Sequence, residues 1–313
     1  MQVFRRLPPA DQRQPCALTI GNFDGVHRGH QAVLQRLVSA ARERGLPACV
    51  LTFEPHPREY FAASRPGAGP APARILTGRD KLGALAACGV DRVCIAHFNA
   101  TLAAMPAETF AERLIVDGLQ ARHLLIGDDF RFGAQRRGDF DLLAGLSARH
   151  GFGLERMPTI ADRGERYSSS AVRRALAAGD LARARELLGH PYCVSGHVIH
   201  GRKLGRTLGF PTLNIGIPFG NPAVAGIFIV QVHGLGPRPL PAVASLGTRP
   251  AVEHNGRLLL EVHVFDFSAS VYGALVSVEF IARLREERHY DNLDLMVEQI
   301  HRDARAARDH FGI

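Results

Sequence analysis

Residues 17–31 read ALTIGNFDGVHRGHQ. The apolar run at 17–20 suits a short buried strand. A loop with glycines at 21, 25 and 29 comes directly after it. A helical pattern is next, with Val33, Leu34, Leu37, Val38 and Ala41 on one face over 31–44 and Gly45 as its stop. Strand, Gly-rich loop and helix in direct succession open a βαβ unit, and that unit sets the fold of the first half of the chain. In an open parallel sheet, ligands bind at the carboxyl ends of strands and at helix N-termini. The loop lies at such a place.

The alternation continues outward from this stretch. ACVLTF (48–53), RVCIAHF (92–98), HLLIG (123–127) and residues 152–157 read as strands. A helix starts at Thr77, with Asp80 placed for a capping box, another opens at Pro106, and a third ends at His150. This predicts an α/β domain with a parallel sheet covered on both faces. Two short helices, 169–178 and 181–188, come after Tyr167. From His190 the period changes to two. HVIHG, GIFIVQVHG, PAVASLG, LLLEVHVFDF and ALVSVEFI are strand-like between Gly and Pro turns, and only 292–311 is clearly helical. The second half therefore predicts a small, mostly-β barrel or sandwich carrying one C-terminal helix. The boundary falls near residue 186, giving domains 1–186 and 187–313.

Bulk properties agree with two domains, since 313 residues exceed what one core usually serves. No run approaches the ~18 apolar residues of a membrane helix, and the first residues lack the apolar segment of a signal peptide. The expected location is the cytoplasm, with no membrane association. The five cysteines (16, 49, 88, 94 and 193) are odd in number and form no CxxC, which favours small buried hydrophobes over disulfides or zinc. The net charge is +8, and the first 186 residues hold 26 Lys+Arg against 19 Asp+Glu. Such a field suits nucleic acid or a nucleoside triphosphate.

His27 and His30 carry the chemistry of the opening stretch. Residues three apart on a helical turn share a side, so both imidazoles can donate to one polyphosphate. Nucleotidyl transfer needs such donors, because charge builds on the phosphoryl oxygens and on the leaving pyrophosphate. A metal site is the other use of two such histidines, but Asp24 is the one evident further ligand.

HRGH resembles the HxGH signature of the nucleotidyltransferase superfamily. The wider string GNFDGVHRGHQ is similar to that of prokaryotic bifunctional riboflavin kinase/FAD synthetases. TFEPHP (52–57), IGDDFRFG (126–133) and SSSAVR (168–173) stand at that family's spacing. The resemblance implies a Rossmann-like nucleotidyltransferase domain followed by a riboflavin kinase barrel. It implies two reactions: ATP phosphorylates riboflavin to FMN, and a second ATP adenylylates FMN to FAD with loss of pyrophosphate. Gly21, Asn22, Phe23, Asp24, His27 and His30 would line the ATP site. Ser168, Ser169, Ser170 and Arg173 would hold the triphosphate, a role that suits the forked guanidinium. A Ser cluster capping the helix at 169 is the structural alternative, and the two are compatible. Asp129, Phe130 and Arg131 would face the flavin, although Asp128 and Asp129 also suit a turn.

GHVIHGRKLGRTLGFPTLNI (196–215) resembles the kinase's glycine-rich segment and its PTAN motif, here PTLN. Gly201, Lys203, Gly205, Thr212 and Asn214 would bind ATP, and Thr212 and Asn214 would share a Mg2+ ion. Two oxygen-bearing side chains two apart on an extended segment point the same way, which suits that role. Glu261 matches the family's general base. On an alternating strand it shares a face with Leu259 and His263, as a solvent-facing Glu also would.

The chain departs from the family in three places. SVYG (270–273) stands for DLYG, GIF (226–228) for GVY, and Ser245 and Ala251 replace Asn and Thr in ASLGTRPAV (244–252). These bear on flavin binding and kinase efficiency.

The expected partners are ATP, riboflavin and FMN, without nucleic acid, and the oligomeric state is open. The rivals are another HxGH nucleotidyltransferase, an RNA-binding synthetase-like protein, and a flavin oxidoreductase. The kinase motifs oppose the first. The second lacks an RNP-type motif and the third lacks GxGxxG.

Overall fold

The computed structural model describes residues 1–64, 67, 69–162, 165–201, 205, 208–247 and 258–313. The chain forms two compact units, Met1–Pro72 with Lys81–Ser168, and Ala73–Asp80 with Ser169–Ile313.

The first unit is built on a parallel sheet in the order β1-β4-β3-β2-β5-β6. Its strands are β1 (Gln2–Phe4), β2 (Cys16–Ile20), β3 (Ala48–Glu54), β4 (Arg92–His97), β5 (Ala121–Gly127) and β6 (Gly153–Met157). β2 is buried along its whole length, as is most of β3, because helices cover both faces of a parallel sheet. α1 (Arg28–Glu43) turns Leu34, Leu37, Val38, Ala40 and Ala41 into the core. From β2 the chain passes to β3 and β4 on one side, then returns to β5 and β6 on the other. The loop after β2 therefore opens where the strand order reverses, the usual ligand site of such sheets.

Other helices of the first unit are α2 (Pro57–Ser64), α3 (Gly78–Ala87), which reaches into the 73–80 segment, and the short α4 (Ala100–Ala103). α5 (Ala107–Phe110) runs on as a π-helical stretch, Ala111–Gly118, and α6 (Phe140–His150) comes after it, capped by Asp139.

In the second unit, α7 (Ser169–Ala178) and α8 (Leu181–Leu188) precede a closed antiparallel barrel. Its strands are β9 (Cys193–Ile199), β10 (Leu213–Ile217), β11 (Gly226–His233), β12 (Leu240–Leu246), β13 (Leu258–Val264) and β14 (Leu275–Arg285), in the order β10-β13-β12-β11-β14-β9. The small hairpin pair 161–162 and 165–166 is not part of either sheet. β13 alternates, with Leu258, Leu260, Val262 and Val264 buried in the barrel and Glu261 exposed. α9 (Leu293–Phe311) lays Ala304 and Ala307 on Ile229, Val243 and Phe265. Asp303 of α9 holds Arg285 through both carboxylate oxygens, 2.7–3.1 Å away, which pins the helix to β14. Among the described residues no helix is long and apolar enough to cross a membrane.

Candidate active sites

The loop after β2 has an uncommon backbone. Phe23 (φ 49°), Gly25 (φ 89°) and Val26 (φ 40°) are all left-handed. Phe23 and Val26 are nearly enclosed, at 3% and 1% exposure. Non-glycine residues hold such angles only where the surroundings impose them, and they gather at functional sites. Here the imposing contacts are visible. Gln31 donates its side-chain amide to the Val26 carbonyl at 2.8 Å. The Thr52 hydroxyl and the Lys81 amine both donate to the Asn22 carbonyl.

α1 starts three residues before the expected position because His27 caps it. The Nδ1 of His27 accepts the backbone N–H of His30 at 3.3 Å. An imidazole accepting at Nδ1 carries its proton at Nε2 when neutral, so His27 is left as an Nε2–H donor. The rings of His27 and His30 lie stacked, 3.7 Å between centroids and 19° apart in plane, and Phe23 packs on His30 at 5.0 Å. The two imidazoles of HRGH are thus brought together. Gly29 allows this, since a Cβ there would stand 3.2 Å from the His27 ring and 3.1 Å from the Tyr167 carbonyl. Asp24 is buried, and the Oδ1 of Asn22 is a buried acceptor with no protein donor among the described residues. Such an acceptor is costly unless a ligand hydroxyl or amine completes it.

Asp129, Phe130 and Arg131 come after β5. Asp129 pairs with Arg166 at 2.6 Å and Arg131 with Asp139 at 2.7 Å. Phe130 stacks on Phe132 and begins an aromatic series through Phe110, Phe53 and Phe98 to Tyr60 and Phe61. Sequence patterning does not single out Phe53, Tyr60, Phe61 and Phe98. They are half-buried, and their one signal is the clustering of aromatics where β3 and β4 end. Gln31, Thr52 and Lys81 escape it too, because a buried hydrogen-bond partner leaves no periodicity. Ser168 closes the first unit, and Ser169 and Ser170 open α7 in the second. Arg173 of α7 donates its Nε to the Ala73 carbonyl at 2.6 Å.

In the barrel, Asn214 of β10 is the cross-strand partner of Glu261 on β13, and Glu261 in turn faces Ser245 on β12. Directly opposed residues share a face, so Asn214, Glu261 and Ser245 form one row on the outside of the barrel. Thr212 lies two residues before Asn214, just ahead of β10, and its carbonyl accepts from the Asn214 side-chain amide at 3.4 Å. Gly201 is pressed against this row, for a Cβ there would come within 2.4–2.6 Å of the Asn214 amide. The Gly205 carbonyl accepts from the Phe210 N–H at 2.7 Å. Lys203 and Ala251 lie outside the described residues. His263 ties the strand of Glu261 to this segment through a 2.9 Å hydrogen bond between its Nδ1 and the Pro211 carbonyl. Beside Thr212 is a cavity of about 270 Å³, lined also by Val198, Val264 and residues 267–272, Ser270 among them.

Comparison with known proteins places the whole chain. A family model for FAD synthetase matches residues 10–171, and one for riboflavin kinase matches residues 188–311. The bifunctional riboflavin kinase/FMN adenylyltransferase of Escherichia coli K12 is 46% identical over 301 residues, covering 96% of this chain and 94% of that protein. This chain belongs to the bifunctional riboflavin kinase/FMN adenylyltransferase family. The Haemophilus influenzae protein of the same description is 44% identical over 313 residues, 99% of each chain. The Pseudomonas fluorescens one is 43% identical over 297 residues, 95% of this chain and 93% of that protein. Among solved structures, a Streptococcus pneumoniae protein described as a macrolide-efflux protein superposes with a TM-score of 0.75 at 26% identity over 98% of each chain. As a member of the family, this protein is a transferase with two activities. It phosphorylates riboflavin to FMN with ATP and adenylylates FMN with ATP to give FAD and pyrophosphate. The rival readings, another HxGH nucleotidyltransferase among them, are set aside.

Proposed function

We propose that the two reactions divide near residue 186, with adenylyl transfer in 1–186 and riboflavin phosphorylation in 187–313, and that the residues above carry them. The observation that supports this reading is that the paired histidines and the Asn214–Glu261 row fall in different units. The stacked His27 and His30 belong to the first, and the Asn214–Glu261 row belongs to the second.

In adenylyl transfer, a phosphate oxygen of FMN attacks the α-phosphorus of ATP, and the bond to the β-phosphate oxygen breaks. Negative charge grows on the α-phosphoryl oxygens and on the departing pyrophosphate. The Nε2–H of His27 and the imidazole of His30 donate to those oxygens, on a loop whose glycine at 21 lets a phosphate approach closely. The buried Oδ1 of Asn22 suits a hydroxyl or amine of the nucleoside, while Phe23 and Asp24 complete the loop. Ser168, Ser169, Ser170 and Arg173 add hydroxyl and guanidinium contacts to the phosphates. Half-buried Phe53, Tyr60, Phe61 and Phe98 offer ring faces and edges to the flat isoalloxazine, with Asp129, Phe130 and Arg131 at the far end of the series.

In phosphorylation, Glu261 takes the proton of the riboflavin 5′-hydroxyl, the oxygen bonds to the γ-phosphorus, and ADP leaves. Gly201, Lys203 and Gly205 track the ATP phosphates, and the cavity beside Thr212 takes the nucleoside end.

Magnesium fits here. The Thr212 hydroxyl and Asn214 amide offer hard oxygen donors two residues apart, and Mg2+ commonly takes few protein ligands, filling the rest with waters and phosphates. Once bound, it neutralises phosphate charge. We place the enzyme in the cytoplasm. All five cysteines are free thiols, as a reducing compartment keeps them.

The test uses two variants of the whole chain. His30→Ala should stop the pathway at FMN, with adenylylation down by ~10²–10³ and phosphorylation intact. Glu261→Gln should cut phosphorylation by ~10²–10⁴ and leave FMN adenylylation running. Either variant at parental rate in its own reaction removes that assignment.

A further inference from the structure

The peptide that joins Asn22 to Phe23 is held from the core side by two side chains with no assigned role. The Thr52 hydroxyl donates to the Asn22 carbonyl at 3.3 Å. The Nζ of Lys81 donates to the same carbonyl at 3.3 Å and to the Thr52 hydroxyl oxygen at 3.4 Å. Both side chains are shut away from solvent, Thr52 at 0% and Lys81 at 6% exposure. Lysine is almost never fully buried unless partners hold it, so a loop carbonyl with two donors needs a reason beyond packing.

The geometry of the peptide supplies one. A trans peptide carries its C=O and N–H on opposite sides. Drawing the Asn22 carbonyl toward Thr52 and Lys81 therefore sends the Phe23 N–H away from them and fixes the plane from which the left-handed turn begins. Phe23, Gly25 and Val26 then adopt positive φ, and the turn ends at the His27 cap. The Phe23 ring, set by the same peptide, packs on His30 at 5.0 Å. Phosphoryl-transfer donors must be held within about 0.5 Å of their working positions. A turn with two enclosed non-glycine residues at positive φ relaxes when its anchor is removed.

We infer that Lys81, together with Thr52, is a positioning residue for adenylyl transfer, clamping the Asn22–Phe23 peptide so that His27 and His30 meet the phosphates in register. This rests on the reading of that loop as the phosphate site.

The experiment compares Lys81→Met, Lys81→Arg and His30→Ala in the full-length chain. It measures kcat and KM for FMN adenylylation, with riboflavin phosphorylation as the control for folding. Met keeps the length and bulk of lysine but cannot donate, whereas Arg keeps the donors and adds bulk. The clamp predicts a tenfold or larger fall in kcat for Lys81→Met, a KM for FMN within twofold of the parent, unchanged phosphorylation, and more activity in Lys81→Arg than in Lys81→Met. A packing role predicts the reverse order, and Met at the parental kcat or above Arg would overturn the inference. If Lys81→Met does not fold, Thr52→Val decides. It matches threonine in shape and lacks the hydroxyl, so a threefold or larger fall in kcat supports the clamp and the parental rate overturns it. His30→Ala separates the two possible failures. If it keeps the parental rate, the loop reading falls and the clamp with it. If it loses that rate while Lys81→Met keeps it, only the clamp falls.

Discussion

Gly29 sits in the first turn of α1, where helix propensity alone would prefer alanine by about 1 kcal/mol. A methyl group there would meet the His27 ring at 3.2 Å and the Tyr167 carbonyl at 3.1 Å, so one of them must give by a few tenths of an ångström. Gly29→Ala is therefore expected to shift the His27 imidazole in its stack on His30. FMN adenylylation should fall at least tenfold while riboflavin phosphorylation stays at the parental rate, as product chromatography from each substrate would read. At the same scale, the HxGH pattern is legible from spacing and glycine content. The stacked rings, the Nδ1 cap and the Lys81 contact are not legible, because each depends on where a side chain meets backbone or another ring in the folded chain. Glu261 is half legible. Alternation sets its face, and only the strand register sets Asn214 opposite it.

Elements are legible where local signals end them. The helices at 169–178 and 181–188 form as expected, the second with Asp180 as its cap and Gly189 in the left-handed stop position. α9 starts after Asn292, which accepts from the N–H of Asp294 at 2.7 Å. β1 carries no such signal. Three residues give no period, and Val3 is 40% exposed on an edge strand whose stability comes from pairing with β4. Also outside sequence reach is the link among α1, β5 and β6. Glu155 accepts from Arg36 at 2.6 and 2.9 Å and lies 3.2 Å from the Nε2 of His123. The Arg36 hydrogen bonds hold the Glu155 carboxyl below its ordinary 4.5, and burial holds His123 below its ordinary 6.5. Both groups bind fewer protons folded than unfolded. Their stabilisation is present above those ordinary values and is lost as pH falls, first for His123 and then for Glu155. Glu155→Gln is expected to cost about 1–2 kcal/mol at pH 7 and to flatten the decline below about pH 4.5. Thermal midpoints measured from pH 7 to pH 4 would check both parts. A parallel downward shift at every pH would contradict the second.

At the scale of the molecule, the change of period near residue 186 marks two domains in the sequence itself. In the structure, α7 and α8 belong with the barrel. Arg283 of β14 donates to the carbonyls of Ala177 and Ala178, and Leu187 and Leu188 are buried. A fragment of residues 187–313 loses these contacts. It is expected to fold, to phosphorylate riboflavin and to make no FAD, and a fragment of residues 169–313 should melt at a higher temperature. Circular dichroism melts of the two fragments check the order.

On the proposed division, one chain carries two separable sites, and FMN released from one is the substrate of the other. Mixing full-length His30→Ala with full-length Glu261→Gln tests it most directly, with riboflavin, ATP and Mg2+ supplied and FAD measured by chromatography. Each variant alone should make little FAD from riboflavin, His30→Ala accumulating FMN and Glu261→Gln leaving riboflavin unused. The mixture should restore FAD, because FMN made by the first is adenylylated by the second. A mixture that accumulates FMN without FAD, or a single variant that makes FAD from riboflavin at the parental rate, would rule out two separable sites.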